Sequence, residues 1–197
     1  MKLSRDFYMR SGLIVARELV GKQLVHRTPQ GVAKGLIVEV EAYMGHSDAA
    51  AHSYQSRLTK RTAIQFGPGG YAYIYRIYGL HTCMNVVANQ EHVPEAVLIR
   101  ALQPTAGIDL MRQRRGRQEL RQLCSGPGKL CQAMGITMSD YGLDLCSDKL
   151  YIETVDDTIP EISATKRINV DYAGEARDYL WRFVLKNSEF ISAPPFG

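Results

Sequence analysis

From residue 35 the chain alternates with a period of two. Leu36, Val38, Val40 and Ala42 stand on one side, and Ile37, Glu39, Glu41 and Tyr43 on the other. The β-branched residues favour an extended backbone, so a strand is expected over 35–43, its aliphatic side buried. Residues 22–27 alternate in the same way. Thr28-Pro-Gln-Gly31 reads as a turn between the two, which predicts a hairpin. Upstream, apolar positions at helical spacing predict a helix over 12–20, capped by Ser11 and stopped by Gly21, with 1–9 as a lead-in segment. Downstream, residues 71–78, 83–88 and 96–102 read as three more strands. Residues 104–115 read as a helix. A short helix is expected between 123 and 135, with Ser125 as cap, Gly135 as stop, and Leu130, Cys131 and Met134 facing inward. Short strands around turns are expected over 141–155, a loop over 167–174, and a helical turn or strand over 175–184. The spacing alone supports an α+β fold.

Composition changes this picture little. At 197 residues the chain can build one substantial core, and a second full domain is not expected. One domain over 1–197 is therefore expected, with 1–9 and 193–197 as terminal segments. A net charge of +4 leans weakly toward a polyanionic partner, so clustering of charge is the better guide. No apolar run approaches the ~18 residues of a membrane span, and the N-terminus lacks the apolar segment of a signal peptide. No membrane association is expected, and a cytoplasmic location is. Cys83, Cys124, Cys131 and Cys146 form no Cys-x-x-Cys pair, which predicts reduced, partly buried thiols.

Candidate chemistry gathers where the 35–43 strand ends. Glu41 is a carboxylate beside Tyr43, with His46, Asp48 and His52 close behind. An apolar or aromatic pocket would make such a carboxylate a better base near neutral pH, whereas a nearby arginine would act the other way. A solvated edge glutamate is the plainer explanation, and periodicity does not separate Glu41 from Glu39. Glu41, His46, Asp48 and His52 match no common zinc spacing, so no metal is expected. Tyr71, Tyr73 and Tyr75 share a strand face, while Tyr78 falls with Ile74 and Arg76 on the other. Such rings often serve packing alone. They can also sandwich a planar ligand or wedge into a base stack. Asn85 can donate to and accept from a purine edge. Arg57, Lys60 and Arg61 lie in a long loop over 53–70, and five arginines lie between 112 and 121. Both groups are candidate phosphate contacts, although charge runs are usually solvated faces. Lys129 follows Gly126-Pro-Gly, which is not a P-loop but begins a helix able to hold a phosphate.

Six blocks together closely resemble the alkyladenine (3-methyladenine) DNA glycosylase family. They are Val38-Glu-Val-Glu-Ala-Tyr43, Ala49-Ala-Ala-His52, Tyr71-Ala-Tyr-Ile-Tyr-Arg-Ile-Tyr-Gly-Leu80, Cys83-Met-Asn85, Val97-Leu-Ile-Arg-Ala-Leu102 and Leu123-Cys-Ser-Gly-Pro-Gly-Lys-Leu130. They occur in the family's order, and the likeness spans roughly residues 12 to 192. The resemblance implies a single mixed α+β domain with a curved, mainly antiparallel β-sheet flanked by helices. It also implies a monofunctional enzyme that flips a damaged purine out of double-stranded DNA and hydrolyses its N-glycosidic bond. In that scheme Glu41 activates water, assisted by Arg100, and the Ile191 carbonyl helps to hold the water. Tyr43, Tyr75 and His52 enclose the purine, with Tyr73 supporting the wall. Asn85 disfavours the amino group of normal guanine, and Tyr78 fills the gap left in the DNA. No cofactor is implied, and a monomer is expected.

The loop departs from the family pattern. Lys60-Arg61-Thr62 stands where an Arg-Asn-like pair is expected, and Ile64-Gln-Phe66 replaces a methionine-bearing wedge. Two other readings stay open on the residues alone. One is a damaged-DNA-binding protein without catalysis, and the other is a metal-dependent nuclease built on the Glu41–His52 cluster.

Overall fold

The computed structural model describes residues 1–156 and 158–194. Its helices are α1 (Arg5–Tyr8), α2 (Gly12–Leu19), α3 (Ile108–Arg115), α4 (Leu120–Leu123) and α5 (Pro127–Met134). The strands are β1 (Gln23–Thr28), β2 (Gly31–Tyr43), β3 (Ala72–Ile77), β4 (His81–Ala88), β5 (Glu95–Ala106), β6 (Leu150–Glu153), β7 (Ile162–Thr165) and β8 (Arg182–Leu185). All strand pairs are antiparallel, in the order β3-β4-β5-β2-β1-β6. The sheet forks at β2. Its first half pairs with β1 and its second half with β8, while its other edge runs along β5. The α+β expectation holds, with the sheet curling around the long central strand.

The β1–β2 hairpin, β3 and α2 lie where the hydrophobic pattern puts them. Alternation within β2 does not hold throughout. The β2–β5 ladder shifts register on either side of Glu39, leaving Val38 of β2 and Arg100 of β5 without a ladder partner. These bulges rotate the strand. Ile37 joins Val40 and Ala42 in the main core, whereas Leu36 and Val38 pack with Ala101 and Phe190 on the opposite face. Both faces are covered, so Glu39 and Glu41 are fully buried, and neither is a solvated edge glutamate.

Other expectations need correction. Residues 1–9 are no lead-in: Lys2 bridges to Glu153, and the Tyr8 ring is fully buried in the core. Pro104 does not begin a helix. It pairs with Gly35 near the end of β5, and the turn into α3 comes at Gly107. Gly126, not Ser125, precedes α5, and Ser11 makes no side-chain cap. The Gly12 N–H donates instead to the buried Glu95 carboxylate at 2.6 Å. β7 was not anticipated, and residues 175–184 divide between a 3₁₀ segment and β8. Of the expected terminal segment 193–197, residues 195–197 lie outside the described residues. Ala193 is tied in through its carbonyl, which accepts from Arg182.

The position of Tyr8 gives a direct test. Tyr8→Ala removes a large, fully buried ring and is expected to cost about 3–5 kcal/mol in urea denaturation. An unchanged midpoint would restore the lead-in description.

Candidate active site

Sheet register assembles the site. Tyr73 of β3 lies opposite Asn85 of β4, and Asn85 opposite Leu98 of β5. Leu98 lies opposite Glu41 of β2, and Glu41 opposite Arg182 of β8. Five strands thus contribute one row of side chains to the face away from the main core. A cavity of about 480 Å³ opens over this row, with Tyr43, His52, Tyr73, Tyr75, Asn85 and Arg100 among its lining. That volume suits a small planar ligand.

Glu41 is fully buried behind Tyr43, Arg100 and Ile168 of the lining, with both oxygens engaged. Oε1 accepts from the Ile168 N–H at 2.7 Å, and Oε2 accepts from the Tyr43 hydroxyl at 2.8 Å and from Arg100 Nη1 at 3.2 Å. Glu39 is bound differently. Its Oε1 accepts from Arg100 Nε, Arg182 Nε and the Ser192 hydroxyl at 2.8–2.9 Å, and its Oε2 accepts from the Ser192 N–H. Arg100 therefore spans the two carboxylates, with Glu39 holding its Nε while Nη1 reaches Glu41. Glu41 lies beneath the cavity, and Glu39 serves as the anchor for the arginines. Ile191 packs beside Val38 and Phe190, one residue before the Ser192 contact.

The aromatic walls are protonated donors rather than anions. Burial, and then the Glu41 charge, pushes the Tyr43 hydroxyl well above its ordinary pKa; burial does the same for Tyr73 and Tyr75. His52 shares a 2.8 Å hydrogen bond with the Tyr73 hydroxyl through Nδ1 and packs edge-on to Tyr75, centroids 4.7 Å apart. Burial, reinforced by the Arg61 charge, lowers its pKa to about 4, so the ring is neutral at pH 7. Asn85 is buried and donates through Nδ2 to the Tyr73 carbonyl at 3.2 Å.

Tyr78 is 87% exposed at the β3–β4 turn, beside Leu80 at 80%. Its φ of 52° takes it out of the strand alternation, so it does not continue the Ile74 face. The sequence analysis gave Leu80 no role of its own, although a leucine two positions beyond the tyrosine, across Gly79, was visible there. Arg57, Lys60 and Lys129 are exposed, with Lys129 at the cavity rim. Arg61 is exposed as well, but its side chain leans over the cavity wall. Its guanidinium lies 4.6 Å over the Tyr75 ring, with Nη2 2.9 Å from His52 Nε2. The arginines of 112–121 are largely engaged within the protein. Arg114 binds Thr28, Gln30 and the Ala133 carbonyl, Arg115 the Leu123 carbonyl, Arg112 Asp109, and Arg121 Glu189.

The four residues weighed as a metal cluster diverge. His46 pairs with Ser56, and Asp48 with Arg167. Among the described residues no three His, Cys, Asp or Glu side chains converge. Arg167, Arg182 and Ser192 were missed as contributors. The signal for Arg182 was present, since an arginine inside Trp-Arg-Phe-Val-Leu has to find a buried carboxylate.

A DNA-repair family accounts for this arrangement. The sequence model described as methylpurine-DNA glycosylase matches residues 6–189. The chain belongs to that family. A Clostridium acetobutylicum protein named "Putative 3-methyladenine DNA glycosylase" is 49% identical over 200 residues, covering 98% of each chain. Proteins of the same name from Rhodopseudomonas palustris and Bacillus subtilis are 52% and 48% identical. They cover 98% and 94% of this chain, and 88% and 94% of their own. The methylpurine-DNA glycosylase pattern thus spans both the sheet and the loops that build the cavity. No helix among the described residues is long and apolar enough to cross a membrane.

The His52 environment predicts its titration. In histidine-selective NMR its midpoint should fall near pH 4. Between 6.5 and 4 the unfolded chain takes up a proton that native His52 does not. Its contribution to stability is therefore lost as pH falls through that window, a loss that His52→Gln should reduce. A midpoint near 6.5 would contradict the partly buried, neutral ring.

Proposed function

We propose that the protein is a monofunctional, monomeric glycosylase. It flips 3-methyladenine, 7-methylguanine or hypoxanthine out of double-stranded DNA and hydrolyses the N-glycosidic bond, leaving an abasic site. The observation that carries this reading is Glu41, buried beneath an aromatic-walled cavity in a methylpurine-DNA glycosylase chain. Glu41 activates a water, which attacks the anomeric carbon as the C–N bond breaks and the purine departs. Arg100, fixed by Glu39, orients the carboxylate, and the Ile191 carbonyl helps to hold the water.

Tyr43, Tyr75 and His52 enclose the base, and Tyr73 locks His52 through its hydroxyl. Ring alkylation makes the purine cationic and a good leaving group, and electron-rich tyrosine faces attract it. Neutral His52 adds no opposing charge at pH 7. Asn85, held by the Tyr73 carbonyl, excludes the exocyclic amino group of normal guanine. Tyr78 enters the stack vacated by the flipped nucleotide, and flipping costs least at a damaged pair. Arg57, Lys60 and Lys129 supply backbone contacts, and Arg61 supports the wall formed by Tyr75.

Wild-type protein should release free base from duplex DNA carrying 7-methylguanine or hypoxanthine in the presence of EDTA. Glu41→Gln should bind the same DNA while losing at least about 100-fold in release. Full turnover by Glu41→Gln would remove Glu41 as the base. Tight, salt-dependent binding by wild type without release would leave a damage-binding protein.

Tyr78→Ala should slow release from all substrates by a similar factor, since the wedge acts before the base is read. A loss confined to one lesion would instead place Tyr78 in substrate discrimination.

A further inference from the structure

The buried Asp48–Arg167 pair lies outside the row of residues that faces the cavity, yet it ties together the end of β2, the loop that follows it and the segment that begins at Ile168. Asp48 Oδ2 accepts from the Met44 N–H, directly after Tyr43, and Oδ1 accepts from the Ala50 N–H, two residues before His52, both at 3.0 Å. Arg167 grips the same carboxylate through Nη1 at 2.6 Å and Nη2 at 2.8 Å. Its remaining hydrogen bonds go to the Ala42 and Ala176 carbonyls at 2.9 and 3.1 Å. Both side chains are completely shielded from solvent. The guanidinium lies between two rings, 4.8 Å from Tyr43 and 5.1 Å from Trp181. The residue after Arg167 is Ile168, whose N–H donates to Glu41.

We infer that Asp48 and Arg167 are positioning residues for the reaction. The pair fixes the Ile168 N–H against Glu41 Oε1 and backs the Tyr43 ring. This inference rests on Glu41 being the base, as proposed above. A fork bonded to a carboxylate and two backbone carbonyls leaves the 167–168 backbone little freedom, and one peptide later the amide meets Glu41. Because Asp48 also ties down Met44 and Ala50, one carboxylate joins the loop after β2 to the segment that carries Ile168.

Replacing Asp48 separates positioning from bulk charge. Around Glu41 stand Glu39 and Tyr43 on its own strand, Arg100 on β5, Cys83 on β4, Arg182 on β8, Arg167 before Ile168, and Tyr172 further along. Asp48→Asn removes one negative charge from this set. Acting through charge alone, it would favour ionised Glu41 and move the acid limb of base release to lower pH. Loss of the Ile168 N–H would withdraw a donor from the carboxylate and move that limb to higher pH.

The test measures amide exchange at Ile168 and the pH dependence of single-turnover release of 7-methylguanine from duplex DNA. In folded Asp48→Asn, the Ile168 amide should exchange at least about tenfold faster. The acid limb should move upward, and the maximal rate should drop about tenfold, the effect of losing a hydrogen bond to a charged group. Should that variant fail to fold, placing the α-hydroxy acid analogue of isoleucine at 168 deletes the N–H alone and should reproduce the limb shift and the rate loss. Unchanged Ile168 exchange, or a limb that moves downward in folded Asp48→Asn, would overturn the inference. So would a full rate in the ester variant. Faster exchange at Ile168, with wild-type protein releasing no base, would retire the proposed reaction while leaving the pair as the anchor of Ile168.

Discussion

The whole sheet is arranged around the cost of taking two carboxylates on one strand out of water. Glu39 and Glu41 are two residues apart and completely buried, and unpaired burial of either would cost several kcal/mol. The fold answers with two arginines from distant parts of the chain. Arg100 comes from the neighbouring strand, and Arg182 from the strand that forks onto β2. The bulges around Val38 and Arg100 let a single guanidinium reach both glutamates. A regular ladder would have left Arg100 opposite a β2 residue, with its direction set by the pleat.

Much of this could be read from the residue order. The alternation of 35–43 placed Glu39, Glu41 and Tyr43 on one face, and the tyrosine spacing placed Tyr73 with Tyr75. Both depend only on period two, a local property of the backbone. What the alternation could not register was the bulge, because an extra residue leaves no mark in a pattern of apolar and polar letters. Ile37 therefore joined Val40 and Ala42, and Leu36 and Val38 parted from them. The same limit explains Pro104, whose ring suits a helix start or a strand position that donates no ladder hydrogen bond. Only pairing with Gly35 distinguishes them.

Long-range electrostatics was the least legible part. Asp48 and Arg167 are 119 positions apart, and each alone resembles an ordinary polar loop residue. The arginines of 112–121 had the opposite fate, since Arg112, Arg114, Arg115 and Arg121 proved to be bound by carbonyls, amides and acids. Charge counted along the chain measures potential partners, whereas charge after folding measures only what those partners leave over. The second quantity leaves Arg57, Lys60 and Lys129 at the surface and lays the exposed Arg61 over Tyr75.

The turn carrying Tyr78 has a thermodynamic consequence of its own. A non-glycine residue at φ 52° sits in a sparsely populated backbone region, and here it lies on a tight hairpin with its ring in water. The free energy of holding that ring outward is charged to folding, within an antiparallel ladder that runs from Arg76–Thr82 back through Tyr73–Asn85. A surface that receives the ring meets it already aimed and recovers its hydration without having to order it. Because folding has already fixed the ring, less of any contact energy is spent on ordering it.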